Sequence, residues 1–327
     1  MGARRDMTGR VAIGALLLLA LLLPALVGDY RIFRWTVIIG YAIALLGLNM
    51  LTGYNGQISI GHGAFWAIGA YTTAILMAMF GVPYWATIPI AGAVCCLFGF
   101  LFGLPALRLG GVYLALATFA LAVVTPQLLK YKLIEGWTGG TIGIQLTKPD
   151  VPFGLPISQD QYLYYFTLAV ALAMFWLARN LLHGRIGAAM IAVRDQPVAA
   201  SVLGINLAML KSKTFGISAL YTGVAGSLSA IVTNYVSPDS FTFFLSITLL
   251  VGIVIGGVGT LSGAIYGAIF IGMVPDLTAD ISKAAPTAIY GACLIACVYL
   301  MPAGISGVVE LAREKFRPSF GRKNHPN

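Results

Sequence analysis

Uncharged apolar stretches follow one another along this chain, separated by short polar breaks. From Trp35 to Leu107 there are 73 residues without one Asp, Glu, Lys or Arg, and between Thr214 and Pro275 the only charge is Asp239. A crossing helix needs about 20 apolar residues to span a hydrocarbon core of roughly 30 Å, so each run must fold into several crossings. The runs are continuous rather than alternating, which selects helices over the strands of a membrane barrel. Crossings are predicted at about residues 11–28, 35–51, 58–80, 84–107, 111–129, 162–182, 214–233, 242–258, 261–275 and 285–302. The break Leu51-Thr52-Gly53-Tyr54-Asn55-Gly56-Gln57 is polar and glycine-rich, as a tight turn or an unwound segment requires. Pro83 and Gly110-Gly111 mark similar breaks. The stretch Gly256–Gly263 divides either two short spans or one span and a re-entrant piece, so the count is ten, with eight or nine as alternatives.

Composition agrees. The chain is 59% hydrophobic and 9% charged, against roughly 25% charged in a soluble domain. Charge then orients the spans. With residues 1–10 in the cytoplasm, ten crossings put 14 basic residues inside and 6 outside, as the positive-inside rule requires. The inner set comprises Arg4, Arg5, Arg10, Arg108, the basic residues of the loop 183–213 and flanking Arg179, and those of the tail 303–327. The outer set is Arg31, Arg34, Lys130, Lys132, Lys148 and Lys283, with 130–161 as the long outer loop. Both termini are then cytoplasmic. The net charge of +9 is accounted for by this asymmetry, and no basic patch interleaves with aromatics as nucleic-acid binding would need. The basic start and the run Leu16 to Leu23 imitate a secretion signal, but no small-x-small cleavage site follows, which makes 11–28 an uncleaved first span.

The chemistry carried by the chain is sparse. No phosphate-binding G-x-x-x-x-G-K-[ST] loop occurs, so the chain does not by itself hydrolyse ATP in that manner. His62, His183 and His325 build no triad or metal set, and Cys95, Cys96, Cys293 and Cys297 read as packing thiols; no catalytic residue, metal ligand or bound cofactor is expected. The predicted span interiors hold no charged residue, whereas proton-coupled carriers use one as a relay. This favours an external energy source over a self-contained secondary transporter or channel, and the lack of any acid–base cluster opposes a membrane-embedded enzyme. Glycines four apart, at Gly99 and Gly103, Gly252 and Gly256, and Gly259, Gly263 and Gly267, predict close helix packing within one bundle. The inner loop His183 to Lys213 is amphipathic and alanine-rich, with Arg185, Arg194 and Asp195 exposed. Pro197 suits the first turn of a short helix and Gly204 its end; alone, this would be a helix lying on the membrane surface.

That loop carries a resemblance. Gly184-Arg185-Ile186-Gly187-Ala188-Ala189, then Ala192-Val193-Arg194-Asp195-Gln196, then Ala199-Ala200-Ser201-Val202-Leu203-Gly204-Ile205-Asn206 closely resembles the cytoplasmic loop of branched-chain amino acid ABC importer permeases. Leu48-Asn49-Met50-Leu51-Thr52-Gly53-Tyr54-Asn55-Gly56-Gln57-Ile58-Ser59-Ile60-Gly61-His62-Gly63 is similar to the family's glycine-rich signature. Arg108-Leu109-Gly110-Gly111-Val112-Tyr113, Trp137-Thr138-Gly139-Gly140-Thr141 and Val254-Ile255-Gly256-Gly257-Val258-Gly259-Thr260 match in turn, and the first two of these stretches favour the LivM-type over the LivH-type permease. The resemblance covers about residues 30–305. It implies an all-α integral membrane protein with a type II-like ABC importer fold in a bacterial inner membrane. It also implies a second, LivH-type permease, two cytoplasmic ATPases that hydrolyse the ATP, and an extracytoplasmic binding protein delivering leucine, isoleucine or valine. Permeases for urea, short amides and other amino acids share the pattern. By this analogy Arg194 to Gly204 is a coupling helix resting on the ATPase, with Arg185, Arg194, Asp195, Gln196, Leu203 and Gly204 as its contact residues. Asn49, Asn55, Gln57, Ser59, His62 and Thr118 are the polar groups available to a translocation path, or else to turn hydrogen bonding and helix packing.

Overall fold

A computed structural model describes residues 18–24, 26–106, 111–152, 156–281, 286–301 and 303–315. Most of the predicted tails, and Arg4, Arg5, Arg10, Arg108, Lys283, Arg317, Arg322, Lys323 and His325 with them, lie outside the described residues. A short helical stretch at 18–24 is followed by α1 (Asp29–Asn49), which continues as one π turn over Met50–Tyr54. Then come α2 (His62–Phe80), α3 (Tyr84–Ala106), α4 (Val112–Leu129) and α5 (Gln159–His183). Two short helices, α6 (Arg185–Asp195) and α7 (Pro197–Val202), lead into α8 (Leu207–Thr233). The chain closes with α9 (Phe243–Gly256), α10 (Leu261–Ile281), α11 (Pro286–Leu300) and α12 (Gly304–Lys315).

Among the described residues six helical stretches are long and apolar enough to cross a membrane: Asp29–Tyr54, His62–Phe80, Tyr84–Leu104, Val112–Leu129, Gln159–His183 and Leu207–Thr233. The stretches Phe243–Gly256 and Leu261–Leu277 are apolar but shorter. At 1.5 Å per residue the 14 residues of α9 reach only about 21 Å. The Gly256–Gly263 break therefore separates two helices.

Several helices run past the predicted spans. α1 starts at Asp29 rather than 35, α5 at Gln159 rather than 162, and α8 at Leu207 rather than 214. Caps explain two of these starts. The Ser158 hydroxyl accepts from Gln161 N at 3.2 Å while the Gln161 side chain reaches back to Ser158 N, and the Asn206 side chain accepts from Met209 N at 3.0 Å. Charged residues assigned to loops consequently sit on helix ends: Lys211 and Lys213 on α8, and Arg34 on α1, where it pairs with Asp276 of α10 and donates to Gly272 O at 3.3 Å.

α8 is the axis of the bundle, packed against α3, α2 and α1. Its small residues Gly216, Ala219, Gly223 and Gly226 meet backbone or small groups of α2 and α3: a Cβ at Gly226 would run into the Trp66 carbonyl, and one at Gly223 into Cys95. Gly69, Gly99 and Gly103 answer from the other side. α9 and α10 cross in the same way at Gly252, Gly256, Gly263 and Gly267, so these glycines pack helices within one bundle as expected. Buried hydroxyls turn back onto their own helix, as Thr36 does to Ile32 O at 2.8 Å and Thr222 to Ser218 O at 3.1 Å, which satisfies them in an apolar interior.

The two ends of the bundle differ. At one end the segment after α4 returns beneath the end of α8: β1 (Ile144–Gln145) pairs antiparallel with β2 (Tyr235–Val236), and Leu146 N donates to Asn234 O at 2.8 Å. Lys130 pairs with Asp239 and Lys148 with Asp160. This two-stranded ladder between distant segments is the one sheet among the described residues.

Candidate functional site

At the other end, three glycine-rich stretches far apart in sequence meet. Asn49 ends α1 and is buried. Its Nδ2 donates to Thr260 O at 2.6 Å and its Oδ1 accepts from Gly259 N at 2.8 Å, so one amide satisfies both sides of the loop between α9 and α10. That loop turns through Gly257 (φ 120°) and Gly259 (φ 79°), conformations that side-chain-bearing residues avoid. It can approach because Gly53 has no side chain: a Cβ there would strike Asn49 and the Gly259 backbone.

The π turn changes what Gly53 offers. Asn55 N bonds Met50 O at 3.2 Å and Gln57 N bonds Leu51 O at 3.0 Å, so the helical ladder slips and the Gly53 carbonyl faces outward. Arg194 Nη1 donates to it at 2.7 Å. Arg194 closes α6, and its Nε donates to Asp195 at 2.7 Å. That hydrogen bond holds the exposed Asp195 carboxyl below its ordinary range. The Arg194 stem crosses Gly56 (φ 69°), where a Cβ would stand 2.8 Å from its Cγ, and its Nη1 lies 3.9 Å from where a Gly259 Cβ would be. Arg194 is therefore exposed, as its loop position suggests, and at the same time anchored to the bundle through the Gly53 carbonyl.

Two neighbours complete this junction. Thr260 and Ser306 of α12 share a hydroxyl hydrogen bond at 3.0 Å, and Thr260 also accepts from Gly263 N at 3.1 Å. Gln57 Nε2 donates to Lys211 O at 3.4 Å, and Thr52 bonds Gln57 O at 3.2 Å, which ties the turn to the start of α8.

The segment 55–61 then passes inward to α2. Ser218 donates to Gly47 O at 2.7 Å, so its oxygen accepts from His62 Nε2 at 2.7 Å; the imidazole proton sits on Nε2, and Nδ1 accepts from Ser59 at 3.1 Å. Thr118 accepts from Ile60 N at 3.0 Å, and Ser246 from Gly63 N at 2.9 Å. Asn49, Gln57, Ser59, His62 and Thr118 are thus all buried and all engaged in holding the turn and the start of α2. Asn55 is buried as well, and neither end of its amide has a hydrogen-bond partner among the described residues.

The loop's own signals, Pro197 to open a short helix and Gly204 to end it, match the structure, whereas the single helix Arg194 to Gly204 that the resemblance implies is divided. The helix breaks at Gln196 (φ −144°, ψ 76°), because Pro197 disfavours helical geometry in the residue before it. Arg194 and Asp195 belong to the helix before the break. Pro197 opens α7, as its fixed φ predicts. Gly204 (φ 84°) ends it: Gly204 N bonds Ser201 O at 3.0 Å and Ile205 N bonds Ala200 O at 3.1 Å, the paired closure of a Schellman motif. Leu203 is exposed, and Arg185 is exposed at the first turn of α6. Thr260, Ser306 and Ser218 were not singled out from the sequence. The glycines on either side of Thr260 were the available signal; Ser306 and Ser218 lie in apolar stretches that carried none.

Comparison with known proteins agrees with this arrangement. The family described as branched-chain amino acid transport system, permease component, matches residues 31–300. The high-affinity branched-chain amino acid transport system permease protein LivM of Escherichia coli K12 is 34% identical over 297 residues, covering 82% of this chain and 69% of that protein. The corresponding BraD protein of Pseudomonas aeruginosa is 28% identical over 293 residues, and LivH of Escherichia coli K12 is 25% identical over 289; each alignment covers 84% of this chain and 93% of the relative. No solved structure matches. With the family match spanning most of the bundle and all three stretches of the junction, this multi-pass membrane chain belongs to the permease components of branched-chain amino acid transport systems.

Proposed function

We propose that the chain is a LivM-type permease forming half of the translocation path of an ATP-driven importer of leucine, isoleucine and valine. In this reading it pairs with a LivH-type permease, receives substrate from an extracytoplasmic binding protein, and is driven by two ATPases that bind and hydrolyse the ATP. The fold is type II-like with ten crossings: the six long helices, α9, α10 and α11, and a first span whose described part is 18–24.

The observation that carries the reading is the apolar face of α7. Val198 and Val202 of α7 and Leu203 just after it are 75%, 82% and 81% exposed, on an amphipathic loop at the end of the bundle. A short helix ordered at both ends and studded with exposed branched side chains has the form of a knob for a protein groove. The Arg194 and Asp195 side chains do not compete for that groove, since they lie on the preceding helix.

Replacing Val202 and Leu203 together by Asp leaves the chain in the membrane at its normal level, because neither side chain is buried, and removes the ATPases from the purified complex. Co-purification measures this. ATPases retained at wild-type stoichiometry, with uptake intact, would sink the reading.

Topology follows from the same assignment. The α7 end is cytoplasmic and carries the tails; the end with the β1–β2 ladder is extracytoplasmic. Asp150 is exposed in the loop before α5. With Cys95, Cys96, Cys293 and Cys297 replaced, Asp150→Cys is expected to react with a membrane-impermeant maleimide on intact spheroplasts. Reaction only after lysis would invert the orientation.

A further inference from the structure

We propose that Arg194 is a positioning residue through which movement of the coupling loop reaches the transmembrane helices, a role distinct from docking the ATPase; this rests on the reading of α7 given above. The loop has two faces. α7 turns Val198, Val202 and Leu203 outward, whereas Arg194, at the end of α6, points back onto the bundle. Its guanidinium spans two acceptors, Asp195 through Nε and the Gly53 carbonyl through Nη1, each at 2.7 Å.

The seat is built for this side chain. Gly56 leaves room for the stem and Gly259 lies beside Nη1, and the carbonyl it binds is one that the π turn exposes. A π turn is a slipped stretch of helix, and such stretches recur at functional sites. One turn before Gly53, Asn49 holds the α9–α10 loop, and Thr260 of that loop holds α12. A shift of α6 that draws on Arg194 is therefore delivered to α1, α9, α10 and α12 at one point. A flexible contact would dissipate it; a planar, charged fork held by two short hydrogen bonds transmits it. Lysine, a single ammonium on a flexible stem, cannot hold both acceptors in that geometry.

The test uses the assembled importer in liposomes, with both permeases, the ATPases and the binding protein, measuring amino acid moved per ATP hydrolysed. Arg194→Gln and Arg194→Lys are expected to keep the ATPases bound and hydrolysing while that ratio falls at least 10-fold for Gln and less for Lys. Asp195→Asn, which weakens the orienting contact but leaves the Gly53 bond, should fall between wild type and Gln. An unchanged ratio with both rates lowered together would mean Arg194 only stabilises the fold and would overturn the proposal, as would a chain that no longer accumulates in the membrane. Loss of ATPases from both Arg194 variants would make it a docking residue and overturn it too. The parent reading fails separately, through the Val202 and Leu203 double variant keeping its ATPases.

Discussion

Gly226→Ala is expected to remove most of the chain from the membrane. α8 is the most deeply buried of the long helices, and at Gly226 an added Cβ would collide with the Trp66 carbonyl and stand 3.1 Å from Ala70 N, both backbone atoms of α2. A side-chain tip can rotate away from a new methyl; a backbone carbonyl can move only with its helix. Overpacking a well-packed interior costs about 1–3 kcal/mol, and a clash with backbone falls at the upper end of that range or beyond it. Against a stability of about 5–15 kcal/mol, a loss of about 3 kcal/mol raises the unfolded fraction by roughly 100-fold, and losses of this order lower abundance several-fold through proteolysis. Gly40→Ala is the control. Nothing lies within 4 Å of its would-be Cβ, and alanine improves a helix interior by about 1 kcal/mol. Quantitative blotting of membranes should show a several-fold fall for Gly226→Ala and none for Gly40→Ala. Equal levels would mean that α2 and α8 do not cross at this point.

Asn49→Leu should be nearly as damaging, for a polar reason. Leucine keeps asparagine's branched outline, with bulkier methyls, but leaves the half-buried Gly259 N–H and Thr260 C=O without the partner they have now. An orphaned buried group costs about 1–3 kcal/mol, and here two partly buried groups are orphaned together. Asn49→Asp separates the contributions: it can still accept from Gly259, but it turns a donor toward the Thr260 carbonyl into a second acceptor. The temperature at which the purified chain leaves its monodisperse peak in detergent is the measurement. A fall of several degrees is expected for both variants. A Leu variant within one degree of wild type would show that the α9–α10 loop stands without this amide.

The helical bundle was legible because apolar continuity reports burial in lipid directly, and the glycine spacing announced close crossings. The ends of helices were not. Lys211 and Lys213 interrupt the apolar pattern and were assigned to a loop, yet Asn206 starts the helix before them, and long basic side chains at a span end carry their charge out to the interface. The break at 51–57 was visible as polar and glycine-rich, but nothing local distinguishes a π turn from a tight turn; the slip lies in the bonds from Asn55 N to Met50 O and from Gln57 N to Leu51 O. Arg194 is exposed, as the loop suggests, but its anchor 141 residues away was not legible. Its partner is a backbone oxygen, and a backbone oxygen leaves no trace in residue identity. Of the polar residues available to a translocation path or to turn bonding and packing, the structure shows each buried, with Asn49, Gln57, Ser59, His62 and Thr118 engaged in hydrogen bonds.

α8 is 27 residues of unbroken helix, about 40 Å from end to end. Its first turn follows the Gly204 closure of α7, and its last leads straight into β2 at the opposite end. One rod therefore has a handle in each compartment. Thermodynamic linkage then applies without any relay of side chains between them. If an occupant of the β1–β2 end shifts the rod and changes the grip of a partner at the α7 end by some factor, that partner must change the occupant's affinity by the same factor. A permease built on such a shaft reports to each side of the membrane what is held on the other.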